Sequence, residues 1–166
     1  MAATNKDSLT KLKDLYQAID SLKPTSTPEE FQTISAFFSP TCTTYLKSMR
    51  EYDEPSLGRT ATISSLQDNL KIQHVVNRHI ISQSTSADGL TVYCEMKNRL
   101  HVLGQTLDPF YETAVVVFDE EGLITEFKNY SCRSHIVEIV QEQTGLGPYA
   151  EVPETRGKSE GKAGCC

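Results

Sequence analysis

The chain has 166 residues, 38% of them hydrophobic and 23% charged, with a net charge of −6 at neutral pH. That length suits one domain around a single core, and the composition is that of a soluble globular protein rather than a disordered or fibrous one. With an acidic balance and no basic stripe to offset phosphate repulsion, a nucleic-acid partner is not expected.

In chain order, residues 8–22 predict an amphipathic helix, with Leu9, Leu12, Leu15, Ile19 and Leu22 at helical spacing and Pro24 just beyond. Thr27-Pro28-Glu29-Glu30 predicts a second helix start, with Thr27 as N-cap, Pro28 at the first position and Glu30 closing a capping box. Phe31, Ile34, Phe37 and Phe38 would form its buried face and Ser39-Pro40 its end. Residues 41–49 predict a short strand, 50–58 a loop and 60–70 a third helix. The pattern then becomes β: strands over 72–83 and 90–103, a hairpin over 108–132 turning at Asp119-Glu120-Glu121-Gly122, and a closing helix over 134–143 ended by Gly145. Residues 1–146 are thus expected to be a single domain, and the Pro-, Gly- and charge-rich stretch 147–166 a disordered tail.

Strand side chains alternate, so residues 90–103 sort into an apolar row (Val92, Cys94, Met96, Asn98, Leu100, Val102) and a polar one. The apolar row must face the core. Pairing Asp119 with Gly122 sets Glu112 against Asn129, and hairpin arithmetic sets Met96 by Glu112, Asn98 by Phe110 and His74 by Asn98. His74, Asn98, Glu112 and Asn129 then converge at one end of an apolar basin lined by Val92, Cys94, Met96, Ala114 and Phe127. Such a group suits acid–base catalysis, because desolvation and proximity shift proton affinities towards neutrality. Arg78 falls on the same nominal face, spanning the basin or marking a break in parity.

Helices first, then hairpin-linked strands, then a short helix describe an α+β fold with helices over one face of an antiparallel sheet. FFSPTCTTY after the second helix, GRTAT opening the third, HVVN in the next strand and FDEEGLITEFKNY in the hairpin carry a resemblance over about residues 8–145. The chain resembles the cone-shaped nuclear transport factor 2-like superfamily, in particular the SnoaL-like polyketide cyclases and the fungal isomerases and cyclases of secondary metabolism. Asn129 and Cys132 stand where the family's pattern often has glutamate and aspartate, and Thr41-Cys42 where an acidic residue is often found. The resemblance implies a curved antiparallel sheet whose concave face, covered by the N-terminal helices, encloses a pocket. It also implies a cofactor-independent isomerase, cyclase or dehydratase acting on an apolar polyketide, terpenoid or alkaloid intermediate. The alternative is a non-catalytic ligand-binding or dimerisation module of the same fold.

The expected catalytic residues are Glu112, His74 and Asn129, and the expected substrate contacts are Asn98, Tyr45, Met96, Phe110, Phe127 and Arg59. Tyr93, Tyr111 and Tyr130 fall on the outer face, where a homodimer contact is expected. Five scattered cysteines without a C-x-x-C pair, and four histidines without metal-motif spacing, predict neither a disulfide framework nor a metal site. No cofactor is expected, since no Gly-rich phosphate loop is present. With no bilayer-length apolar run and no apolar signal core in MAATNKDSL, the expected location is cytoplasmic. The ending Cys165-Cys166 resembles the doubly prenylated terminus of vesicle-traffic GTPases, the single hint of lipidation.

Overall fold

The structure, a computed structural model, describes residues 4–46 and 54–145. The end of the first expected strand, the start of the loop after it, and the stretch 147–166 with Cys165 and Cys166 lie outside the described residues. Two helices, α1 (Thr4–Ser21) and α2 (Pro28–Ser35), precede the first strand. The α2 start follows its sequence signature: the Thr27 side chain accepts from the Glu30 N–H, and Glu30 accepts from the Thr27 N–H at 2.6 Å. Next come β1 (Phe38–Tyr45), β2 (Ser56–Leu57) and α3 (Gly58–Ile72). The remaining elements are β3 (Gln73–Thr85), β4 (Thr91–Val102), β5 (Gln105–Phe118), β6 (Ile124–Ser131) and α4 (Ser134–Thr144). None of the described helices is long and apolar enough to cross a membrane.

The strands form one open sheet in the order β2-β1-β6-β5-β4-β3, antiparallel except where β1 joins parallel to β6. Ser39-Pro40, expected to end a helix, lies instead inside β1. Pairing with β6 skips there from Phe38–Ile124 to Thr43–Glu126, in keeping with the missing proline N–H. β4 alternates as its sequence predicts, with Val92, Cys94, Met96, Asn98, Leu100 and Val102 buried and the residues between them largely exposed.

The buried face is covered by two apolar clusters. The larger joins Leu12 and Leu15 of α1, Phe31 and Ile34 of α2, and Leu66 and Leu70 of α3 to Val92, Met96, Val116 and Ile124 of the sheet. The smaller gathers Leu100, Val102 and Phe110 beneath Ile136 of α4. At the turn of the β5–β6 hairpin, Gly122 takes φ +79°, a left-handed conformation that favours glycine, with the Lys11 side chain of α1 lying against it.

Leu15 is fully buried at the centre of the larger cluster. Leu15→Ala removes its contacts and leaves a cavity. The expected loss is about 3 kcal/mol of unfolding free energy in urea titration, against under about 0.5 for the exposed Lys13→Ala.

Candidate functional site

A cavity of about 110 Å³ lies on the helix-covered face where the two apolar clusters meet. Since about 10–15 Å³ of such space holds one water, it has room for a small organic molecule. Ile19, Leu46, Leu66, Leu70, Met96 and Phe127 make its apolar walls, and Tyr16, Gln73, His74, Arg78, Glu112 and Asn129 its polar ones.

The sheet register explains how these side chains meet. Met96 pairs with Glu112 and Asn98 with Phe110, as the sequence arithmetic requires. The β5–β6 pairing differs by one side-chain repeat: Glu112 faces Ser131, and Asn129 faces Ala114. The turn closes on Asp119 and Leu123, one residue longer than expected. A one-residue irregularity between the pairs Phe118–Ile124 and Val117–Glu126 adds a second step, so beyond it Glu112 and Asn129 keep the face expected of them. Glu112 and Asn129 are therefore diagonal neighbours, still in reach of one another: Asn129 Nδ2 donates to Glu112 Oε1 at 2.7 Å. The Asn98 amide donates to the other oxygen, Oε2. With both oxygens accepting from fixed amides, the arrangement suits an acceptor-only carboxylate held in one orientation at the cavity wall.

β3 departs further from the expected register. Its pairing with β4 slips between Val75 and Asn77 and again between Ile80 and Ser82. Each extra residue reverses the parity, so Val75 and Leu100 share the buried row before the first bulge, while Arg78 and Ile80 join Asn98 and Met96 after it. The inserted Val76 and Ile81 are left 49% and 46% exposed. His74 accordingly pairs with His101, not Asn98, and the two rings meet edge-on at 5.4 Å. It still borders the cavity.

Arg78 takes the place in the polar group that sequence arithmetic assigned to His74. Its side chain is 11% exposed. Nε donates to Asp20 Oδ2 at 2.9 Å, Nη2 to Asp20 Oδ1 at 2.8 Å and Nη1 to Met96 Sδ at 3.1 Å. The guanidinium lies 4.2 Å from the centre of the Tyr16 ring. Burial alone would push the Arg78 pKa down, but the hydrogen bonds and charge of Asp20 outweigh it and the pKa is raised. Burial likewise raises the Tyr16 pKa far above its ordinary value, opposed by the Arg78 charge, so the phenol keeps its proton.

Tyr16 and Asp20 are the functional candidates that sequence reading missed, together with Gln73. The first two lie four residues apart on α1, one helical turn, so a polar pair bordering its apolar stripe was the available signal. Three polar atoms of the lining, Tyr16 Oη, Gln73 Oε1 and Asn129 Oδ1, are buried without a hydrogen-bond partner among the described residues. A buried polar atom left without a partner costs roughly 1–3 kcal/mol, and three of them on one wall are positioned to meet polar groups of a ligand.

Of the expected site residues, His74, Met96, Glu112, Phe127 and Asn129 line the cavity, and Asn98 stands behind Glu112 as its hydrogen-bond donor. The remaining three lie elsewhere. Phe110 packs in the smaller cluster under α4. Tyr45, on β1, pairs with Lys128 of β6, and its neighbour Leu46 lines the wall instead. Arg59 donates from Nε to the Phe38 carbonyl at 2.8 Å, tying the start of α3 to β1. Among the described residues, no three His, Cys, Asp or Glu side chains gather where a metal could sit.

No protein-family model and no curated protein matches the chain. Solved structures do. A candidate polyketide cyclase from Xanthomonas campestris pv. campestris superposes with a TM-score of 0.61 at 15% identity, covering 80% of this chain and 96% of that one. A steroid delta-isomerase from Pseudomonas aeruginosa gives 0.57 at 16% identity, covering 84% and 89%. An LEH-like epoxide hydrolase from M. tuberculosis gives 0.59 at 16%, covering 86% and 98%. The chain has the nuclear transport factor 2-like cone fold, and the helix-covered face of its sheet carries the cavity.

The Arg78–Asp20 pair generates a stability prediction. Arg78→Met leaves a three-quarters-buried Asp20 carboxylate unpaired and should cost about 2–3 kcal/mol, while the double variant Arg78→Met/Asp20→Asn should recover at least half of it. Urea titration of the two single variants and the double checks the coupling.

Proposed function

We propose that the protein is a cofactor-independent isomerase, cyclase or dehydratase that moves a proton on an apolar polyketide, terpenoid or alkaloid intermediate. The observation that carries this reading is Glu112: a carboxylate clamped by two amides on the wall of a mostly apolar cavity. Glu112 acts as general base, taking a proton from substrate carbon, and returns it to another atom of the substrate or passes it to His74 at the cavity border. Asn98 and Asn129 orient the carboxylate, while Met96 and Phe127 provide apolar contact. A polyketide cyclase and a steroid delta-isomerase among the proteins of like fold support the reaction class. The binding-module alternative is supported by the same unpartnered polar wall but gives no reason for two amides on one carboxylate.

The active species is proposed to be a homodimer through the sheet face away from the helices, where Tyr93, Tyr111 and Tyr130 are 46%, 56% and 43% exposed. Sedimentation of the wild type should then show a dimer, and Tyr111→Arg/Tyr130→Glu a monomer. A monomeric wild type contradicts that assembly.

On a panel of polyketide and terpenoid ketones, Glu112→Gln should lower turnover by about 10²–10⁴-fold and His74→Ala by about tenfold, with thermal midpoints close to wild type. Wild-type turnover in both variants contradicts the acid–base role and favours the binding module.

A further inference from the structure

The acid–base step leaves part of the cavity's polar equipment unused. A guanidinium carries five N–H donors. In Arg78, Asp20 takes one from Nε and one from Nη2, and Met96 Sδ takes one from Nη1. One N–H on each of Nη1 and Nη2 is left without a partner among the described residues. Both belong to the Nη nitrogens, since Asp20 takes the single Nε donor. Beneath the guanidinium, Tyr16 is 4% exposed and its hydroxyl is also without a protein partner. Both residues line the cavity with Glu112, whose charge acts on each of them.

We infer that the Arg78 fork end and the Tyr16 hydroxyl form an oxygen-binding subsite that receives a neutral carbonyl group of the substrate, while Asp20 is a positioning residue that holds the fork. The charge count selects the ligand class. Asp20 already balances the guanidinium, and Glu112 adds a further negative charge to the same wall. A carboxylate ligand would meet a neutralised cation and a like charge, whereas a ketone, ester or lactone oxygen requires only N–H and O–H donors.

This subsite rests on the proposed acid–base reading for its catalytic meaning and deepens it. When Glu112 takes the proton from the carbon next to the carbonyl, the C–H electron pair becomes the C=C bond of an enolate. The charge moves to the oxygen held by Arg78 and Tyr16, and the protonated Glu112 later returns its proton to carbon. The donors are in place before the charge develops, the condition under which they lower the barrier most. Burial that keeps the Tyr16 proton on its oxygen makes that residue a donor throughout.

The test is a binding measurement on the full chain with two probes of one skeleton, 2-acetylnaphthalene and 2-naphthoate, by calorimetry and ligand-observed NMR. Wild type should bind the ketone at least about tenfold more tightly than the carboxylate. Tyr16→Phe should weaken ketone binding about threefold or more while leaving the thermal midpoint unchanged or higher, because it deletes a buried hydroxyl that lacks a protein partner. The double variant Arg78→Met/Asp20→Asn should weaken ketone binding about tenfold or more. The inference is overturned if wild type does not bind the ketone, if it prefers the carboxylate, or if the double variant binds the ketone as wild type does. If the double variant does not fold, Tyr16→Phe decides alone, and undiminished ketone binding overturns the inference. Turnover by Glu112→Gln reads the acid–base role separately. Undiminished turnover there, with ketone binding still dependent on Tyr16 and Arg78, would sink the reaction and spare the subsite.

Discussion

A guanidinium can be buried against a sheet only if its charge is balanced and its donors are met, and the site is arranged around that requirement at Arg78. Asp20 supplies the balance from α1, Tyr16 supplies an aromatic face from the previous turn of the same helix, and Met96 takes a further donor. These contacts tie α1 to β3 and β4 across the cavity. The helix that covers the sheet is therefore located by polar contacts as well as by Leu12 and Leu15.

A band of polar side chains crosses the sheet from Arg78 on β3 through Asn98 on β4 and Glu112 on β5 to Asn129 on β6. It lies between the apolar cluster under α1–α3 and the one under α4. Neither cluster closes over it, and the space between them is the cavity. The bulges at Val76 and Ile81 bring β3 into this arrangement. Without the first, Arg78 would lie in the outer row with Lys97 and Arg99, adding a cation to a face already basic there.

Most of the fold was legible in the sequence because its signals were local and concordant: the capping box at Thr27, the alternation of β4 and the glycine turn at Gly122. The β4–β5 register followed from alternation together with hairpin arithmetic. What escaped the sequence was long-range or depended on a single inserted residue. The parallel joining of β1 to β6 has no local signature. The bulges of β3 sit at the doublets Val75-Val76 and Ile80-Ile81, where two adjacent apolar residues break the alternation. Those doublets were the available sign that parity reverses, and they decide why Arg78 rather than His74 stands in the polar group. Glu112, Asn98 and Asn129 were legible because a polar residue on an apolar strand face is conspicuous. Tyr16 and Asp20 were not, since polar residues on a surface helix are ordinary until the sheet beneath them is known.

The central claim is that Glu112, held by two amides and set opposite donors for an oxygen, takes a proton from carbon. Exchange in D2O tests this most directly. 2-Acetylnaphthalene is incubated with the wild-type protein and loss of its methyl proton signal is followed by NMR. The account predicts deuterium incorporation well above the rate in buffer alone. Exchange no faster than buffer, with the ketone shown to be bound, would contradict it.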